Sequence, residues 1–139
     1  MTEVCTVNHF DHVGVAVKDI ETALAFFRKV FDVPDAEIVL MEDQGVRACL
    51  IEVGQTRLEL LEPTGPESGV GRFIERRGEG LHHLALNVTD ISGKLRTLQT
   101  LGVDLIDRSP REGLSGTIAF VHPRSVFGVL TELGENDSE

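Results

Sequence analysis

The chain of 139 residues carries 13 Lys and Arg against 23 Asp and Glu, a formal charge of -10, with 41% hydrophobic and 26% charged residues. That composition suits a globular protein able to bury roughly 70% of its unfolded surface without a staple, and it excludes a disordered chain. The negative charge argues against a nucleic-acid surface or docking on anionic lipid, and no apolar run is long enough to span a bilayer. The opening "MTEVCTVNHF" has an early acidic residue and no apolar core, so it does not read as a secretory signal and the expected location is cytoplasmic. Cys5 and Cys49 are isolated from one another and form no metal or redox motif, which leaves both as reduced thiols.

In chain order, "FDHVGVAV" at 10–17 alternates, with Val13, Val15 and Val17 on one face and His12, Gly14 and Ala16 on the other, the pattern of a strand with one packed face. Asp19 reads as an N-cap. Ile20, Ala23, Leu24, Phe27, Val30 and Phe31 recur at helical spacing up to a stop at Pro34. Strands are expected near 37–41, 46–53 and 56–62, the last two joined by a turn at "GQ". The first module, about 8–62, is therefore βαβββ. A linker over 63–79, "PTGPESGVGRFIERRGE", contains a short helix.

The same order returns in a second module, about 80–134. A strand "HHLALNV" leads to a helix "DISGKLRTLQTLG" closed by Gly102, then strands near 103–107, 117–121 and 128–133. Aligning "DHVGVAVKDI" with "HHLALNVTDI" places His12 on His83 and Asp19 on Asp90. Aligning "TRLELLE" with "GVLTELGE" places Glu59 on Glu132, and the offsets of 71 and 73 mark an internal repeat. The expected fold class is α+β, one domain over 1–139 in which two βαβββ modules form a curved mixed sheet around a metal site.

Each copy thus offers one histidine on its first strand and one glutamate on its last. Two imidazoles and two carboxylates suit a divalent first-row ion, and the lack of thiolates argues against a structural zinc knot. The positions sharing the histidine's face are small, Gly14 and Ala16 or Ala85 and Asn87, leaving room for a ligand. His9, His82 and His122 have no repeat partner and read as structural. Arginines at 76, 77, 108 and 111 read as solvated charge, with a phosphate-bearing ligand as the alternative.

The two modules and their His/Glu pairs resemble the vicinal oxygen chelate superfamily, with its glyoxalase-like fold. Over about residues 8–134 the segments "FDHVGVAVKDIETALAFF", "ELLEPTGPESGVGRFIERRGEGLHHLALNV" and "IAFVHPRSVFGVLTEL" are most similar to its methylmalonyl-CoA epimerase family. The resemblance implies that His12, Glu59, His83 and Glu132 bind a divalent metal, best known as Co2+, with Mn2+, Ni2+, Zn2+ or Fe2+ as alternatives. It further implies an acyl-CoA substrate, no nucleic-acid or membrane partner, and a homodimer. A ligand set of four leaves two adjacent positions for the thioester carbonyl and free carboxylate of methylmalonyl-CoA.

Epimerisation at C2 needs two acid/base groups, one on each face. Many family members carry a glutamate where this chain has Ala48 in "QGVRA", and those without it tend, as here with Glu59, to carry Glu where others have Gln. Glu132 is then the better acid/base candidate, with Glu59 for the second function. The loop "REGLSGT" at 111–117 has two readings, backbone N–H groups that bind the substrate carboxylate or a solvent-facing turn. Two other functions share the fold: a lactoylglutathione lyase of the glyoxalase I type, and a drug-sequestering resistance protein. The "HPRS..GVLTEL" ending favours the epimerase over the first, and the complete ligand set favours it over the second.

Overall fold

The computed structural model describes residues 4–136; Met1–Glu3, the start of the segment read for signal character, and Asp137–Glu139 lie outside the described residues. The element order is β1 (His9–Ala16), α1 (Ile20–Phe31), β2 (Val39–Met41), β3 (Val46–Val53), β4 (Thr56–Pro63), α2 (Gly69–Arg77), β5 (Gly80–Asn87), α3 (Ile91–Thr100), β6 (Arg111–Glu112), β7 (Gly116–Val121) and β8 (Thr131–Asn136). This is the expected pair of βαβββ repeats with a helix between them. No helix among the described residues is long and apolar enough to cross a membrane.

Contacts divide the chain into two compact units, 12–82 and 83–136 with 4–11. In the first, the strands run β2-β3-β4-β1, with β1 and β4 parallel and the others antiparallel. Helix α1 lies on one face: Ile20 and Leu24 pack with Val17, Cys49, Ile51 and Leu60. Each such fully buried aliphatic side chain contributes roughly 1.5–3 kcal/mol, which makes this face the main source of the unit's stability. Asp19 caps α1 by accepting from the Thr22 N–H at 3.1 Å, and the helix ends at Asp32 in the left-handed region (φ 55°), two residues before the expected stop at Pro34. The β3–β4 turn at Gly54 (φ 61°) and Gln55 is the expected one. Cys49 is wholly buried and a free thiol; loss of hydration pushes its pKa up to about 11, so it stays neutral and inert.

The second unit repeats the plan as β5-β8-β7-β6, β5 and β8 being parallel. Its core joins α3 to the sheet through Ile91, Leu95, Val88, Ala119, Val121 and Leu133. The N-terminal segment adds to it: the Asn8 N–H donates to the Asn87 carbonyl at 2.9 Å, and the Asn8 amide donates to Asn87 Oδ1 and Thr89 Oγ1.

Two expected strands differ. Residues 103–107 form only an isolated bridge, Leu105 to Val121, because the N–H groups of Ile106 and Asp107 both converge on the Phe120 carbonyl and push the chain out of the ladder. The strand that pairs with β7 is instead β6 at 111–112. At the other end, β8 begins at Thr131 and not near 128, since Phe127 (φ 56°) and Gly128 (φ 88°) hold a turn there.

A recurring carboxylate ties each helix to the last strand of its own repeat. Glu62 Oε2 accepts from the Ile20 N–H at 3.1 Å, and Glu135 accepts from the Asp90 and Ile91 N–H groups at 2.9 and 3.0 Å. Both satisfy donors that an α-helix leaves open at its N-terminus, where negative charge is also favoured by the helix dipole. Removing one charged acceptor costs about 1–3 kcal/mol. Glu135→Ala should therefore lower the urea midpoint without changing the slope of the transition, a result read by circular dichroism; an unchanged midpoint would remove the clasp from the account.

Candidate functional site

In the unit 12–82, His12 stands on β1 and Glu59 on β4, and the parallel register sets Gly14 directly against Glu59. Strand alternation puts His12, Gly14 and Ala16 on the face away from α1, so the glutamate side chain rises beside a residue with no side chain to obstruct it. His12 Nε2 lies 3.3 Å from Glu59 Oε1, and the two residues are only 6% and 8% exposed. On β3, Leu50 is opposite Glu59 and Ala48 opposite Leu61, which places Ala48 on the same face with nothing to offer as a base.

The second unit carries the same construction. The β5–β8 register sets Ala85 against Glu132, His83 Nε2 lies 3.3 Å from Glu132 Oε1, and both residues are buried. Here β7 places Phe120 opposite Glu132, and its ring meets the His83 imidazole edge-on, with centroids 5.6 Å apart at 87°.

A buried carboxylate is costly unless a partner compensates it. The 3.3 Å separation in each pair exceeds the roughly 2.7–2.9 Å of a short charge-assisted hydrogen bond; it fits the roughly 3.0–3.4 Å between neighbouring donors of one ion with bonds near 2.1 Å. In each unit a buried imidazole and a buried carboxylate, with no thiolate among them, are thus a donor pair suited to a divalent metal. A second acidic cluster, Asp19, Glu21 and Glu62, has other work. Asp19 and Glu62 accept from α1, and Arg47 pairs with Glu21 and, at 2.8 Å, with Glu62. These bonds raise the Arg47 pKa above its ordinary value and lower that of Glu21.

The remaining singled-out residues fall elsewhere. His9 is exposed, His82 packs edge-on against Phe73 of α2 at 4.9 Å, and His122 accepts from the Arg124 N–H at 3.1 Å through Nδ1. Arg76, Arg77 and Arg108 are exposed, Arg77 lying over the Phe73 ring. The loop 111–117 is a hairpin between β6 and β7, in which the Gly113 N–H is taken by the Gly116 carbonyl at 2.7 Å. Two features were missed in the sequence. The Glu62/Glu135 clasp was visible as a second glutamate three residues after each ligand candidate in "ELLE" and "ELGE". Phe120 had no periodic signal, since its partner in the first unit is Leu50 on a strand of different sequence.

Comparison with known proteins agrees with this construction. Residues 11–120 match the Glyoxalase/Bleomycin resistance protein/Dioxygenase superfamily. The uncharacterized protein YqjC of Bacillus subtilis (strain 168) is 40% identical, the alignment covering 93% of each chain. The mitochondrial methylmalonyl-CoA epimerase of Dictyostelium discoideum is 32% identical over 93% of this chain and 79% of its own. A solved methylmalonyl-CoA epimerase in complex with methylmalonyl-CoA and NH4+ superposes with a TM-score of 0.92 at 32% identity, over 96% and 97% of the two chains. The repeat, the fold and these similarities together mean that the chain belongs to the glyoxalase/bleomycin resistance protein/dioxygenase superfamily, with methylmalonyl-CoA epimerases among its relatives.

Proposed function

We propose that the protein is a methylmalonyl-CoA epimerase, interconverting the (R) and (S) forms by proton transfer at C2, with His12, Glu59, His83 and Glu132 as the ligands of one divalent ion. Co2+ is the first choice of metal, with Mn2+, Ni2+, Zn2+ and Fe2+ as alternatives. The observation that carries the reading is the duplication at the level of register: in each unit an imidazole and a carboxylate stand 3.3 Å apart beside a Gly or Ala. The substrate is supported by the epimerases among the relatives, one of them solved with methylmalonyl-CoA.

When bound, the ion would supply Lewis-acid stabilisation of the charge that develops on the thioester oxygen as the C2 proton leaves, an effect worth several kcal/mol. The chain's own groups do the rest. Gly14 and Ala85 leave the space that the acyl head group needs, and burial keeps water from competing for the proton. Glu132 removes the proton from one face, and Glu59 is the second acid/base group that returns it to the other, because Ala48 has no proton to exchange. A homodimer accords with the resemblance and with the exposed apolar side chains of Phe26, Val30 and Phe31 on α1. A cytoplasmic location completes the proposal.

Dialysis against a chelator should abolish exchange of the C2 proton of methylmalonyl-CoA in deuterated water, and Co2+ should restore it. His83→Ala should lose most of its metal by elemental analysis; wild-type metal content and exchange in that variant would overturn the ligand set. Glu132→Gln should keep the fold and some metal while the exchange rate drops by about 100-fold or more, since an amide coordinates but accepts no proton. Glu59→Gln should be milder for the enantiomer whose proton Glu132 removes, since that exchange does not pass through the group on the other face. Equal losses would make the two glutamates equal partners in proton transfer, and wild-type exchange in Glu132→Gln would end its assignment. Sedimentation should give a dimer at micromolar concentration, a monomer being the contrary result.

A further inference from the structure

The face that presents His83 and Glu132 extends across its unit to the outermost strand. The register runs from Ala85 to Glu132, from Glu132 to Phe120 and from Ile118 to Arg111, so Arg111 of β6 shares the face of the His83–Glu132 pair. Among the strand residues on this face (83, 85 and 87; 132, 134 and 136; 116, 118 and 120; 111), it is the one permanent cation. Its guanidinium carbon lies 5.6 Å from the Phe120 centroid, and that ring lies 5.6 Å from the imidazole of His83. Laid end to end, the two steps put the guanidinium at most about 11 Å from the His83 ring.

Arg111 is held in place but not satisfied. Asp107 Oδ2 is 3.4 Å from its Nε, too long for a good hydrogen bond, and the same oxygen accepts from the Phe120 N–H at 2.8 Å. The Nε is buried without a hydrogen-bond partner, and 39% of the side chain stays exposed. An arginine set over an aromatic face, with an unbonded Nε and one carboxylate neighbour at ion-pair distance, has donors to offer a further acceptor such as a carboxylate. In a chain of net charge -10, a fixed cation on the face of the buried Glu132 also favours an anionic head group.

We propose that Arg111 binds the free carboxylate of a malonyl-type acyl thioester and so selects thioesters that carry a second carboxylate over those that do not. This rests on the acyl-CoA reading above and assigns a substrate-binding residue within it, the guanidinium meeting one carboxylate oxygen and leaving the other for the metal position that the resemblance implies. The phosphates of a CoA tail are a full pantetheine arm from the thioester, whereas the carboxylate on C2 is the substrate anion nearest the reacting centre and so the one suited to a cation at most about 11 Å from the His83 ring. The loop 111–117 then contributes to carboxylate binding through the side chain at its start, its Gly113 N–H being spent inside the hairpin.

Isothermal titration calorimetry of the metal-loaded protein with methylmalonyl-CoA and with propionyl-CoA, which lacks the second carboxylate, tests the assignment. Arg111→Gln should weaken methylmalonyl-CoA binding by about 10- to 100-fold, the range for a charge-assisted contact, and leave propionyl-CoA within about twofold. Arg111→Lys, which retains the charge without the fork, should recover part of the loss. Equal weakening of both ligands would make Arg111 a support for Phe120, and no weakening of either would leave it no role; each outcome overturns the proposal. Wild-type protein that binds neither thioester removes the acyl-CoA reading and this assignment together. Wild-type protein that binds both, with Arg111→Gln unaltered, removes this assignment alone.

Discussion

Two glutamates buried on strand faces are the constraint around which this protein is arranged. A carboxylate withdrawn from water costs several kcal/mol unless a positive or hydrogen-bonding partner is at hand, so a chain that buries Glu59 and Glu132 must supply one for each. In both units a histidine on the adjacent parallel strand stands 3.3 Å away, and an ion held by the pair would supply the positive charge. The pairing holds only if the strands are in register, and the register is fixed from the far side, where Leu60 and Leu133 lock onto α1 and α3. A slip of one residue would turn each glutamate into a helix-packed core and each leucine toward the polar site. The apolar face therefore protects the polar one.

The helices that supply this lock are themselves oriented by the strands that carry the glutamates. Glu62 and Glu135 stand three positions after Glu59 and Glu132, on the opposite face by strand alternation, and reach the first N–H groups of α1 and α3. One strand in each repeat thus holds the helix with one carboxylate and presents the other to the site.

The repeat was legible in the sequence because it recurs in chemistry-bearing letters at nearly constant offset, and strand alternation was enough to assign the faces of His12 and His83. Helix boundaries followed from Asp19, Asp90 and the apolar spacing. What failed was local pairing. Residues 103–107 have the apolar look of a strand, yet two consecutive N–H groups there share one acceptor, the Phe120 carbonyl, a long-range geometry that no local pattern encodes. The two-residue β6 is too short for any period to show. Phe120 and Arg111 were opaque for the same reason: their neighbourhood is created by β7 pairing to both β6 and β8, and the sequence separations involved carry no periodic trace.

The two units differ most beyond their shared pairs. Opposite Glu59 stands the aliphatic Leu50, and the unit's arginine on β3, Arg47, is spent on Glu21 and Glu62 at the helix end. Opposite Glu132 stands Phe120, with Arg111 over its ring and only the distant Asp107 as a carboxylate partner. On the acyl-CoA reading, a duplicated scaffold that would serve one small chiral substrate has reason to diverge in this way. The substrate is asymmetric while the repeat is not, so the thioester end and the carboxylate end need different walls. Ala48, Leu50 and Leu61 make the face beside Glu59 apolar in the first unit, and in the second the face beside Glu132 carries an aromatic ring with a cation over it. On the acyl-CoA reading, the His/Glu pairs hold what the two halves have in common, and the residues one strand further out give the substrate its orientation.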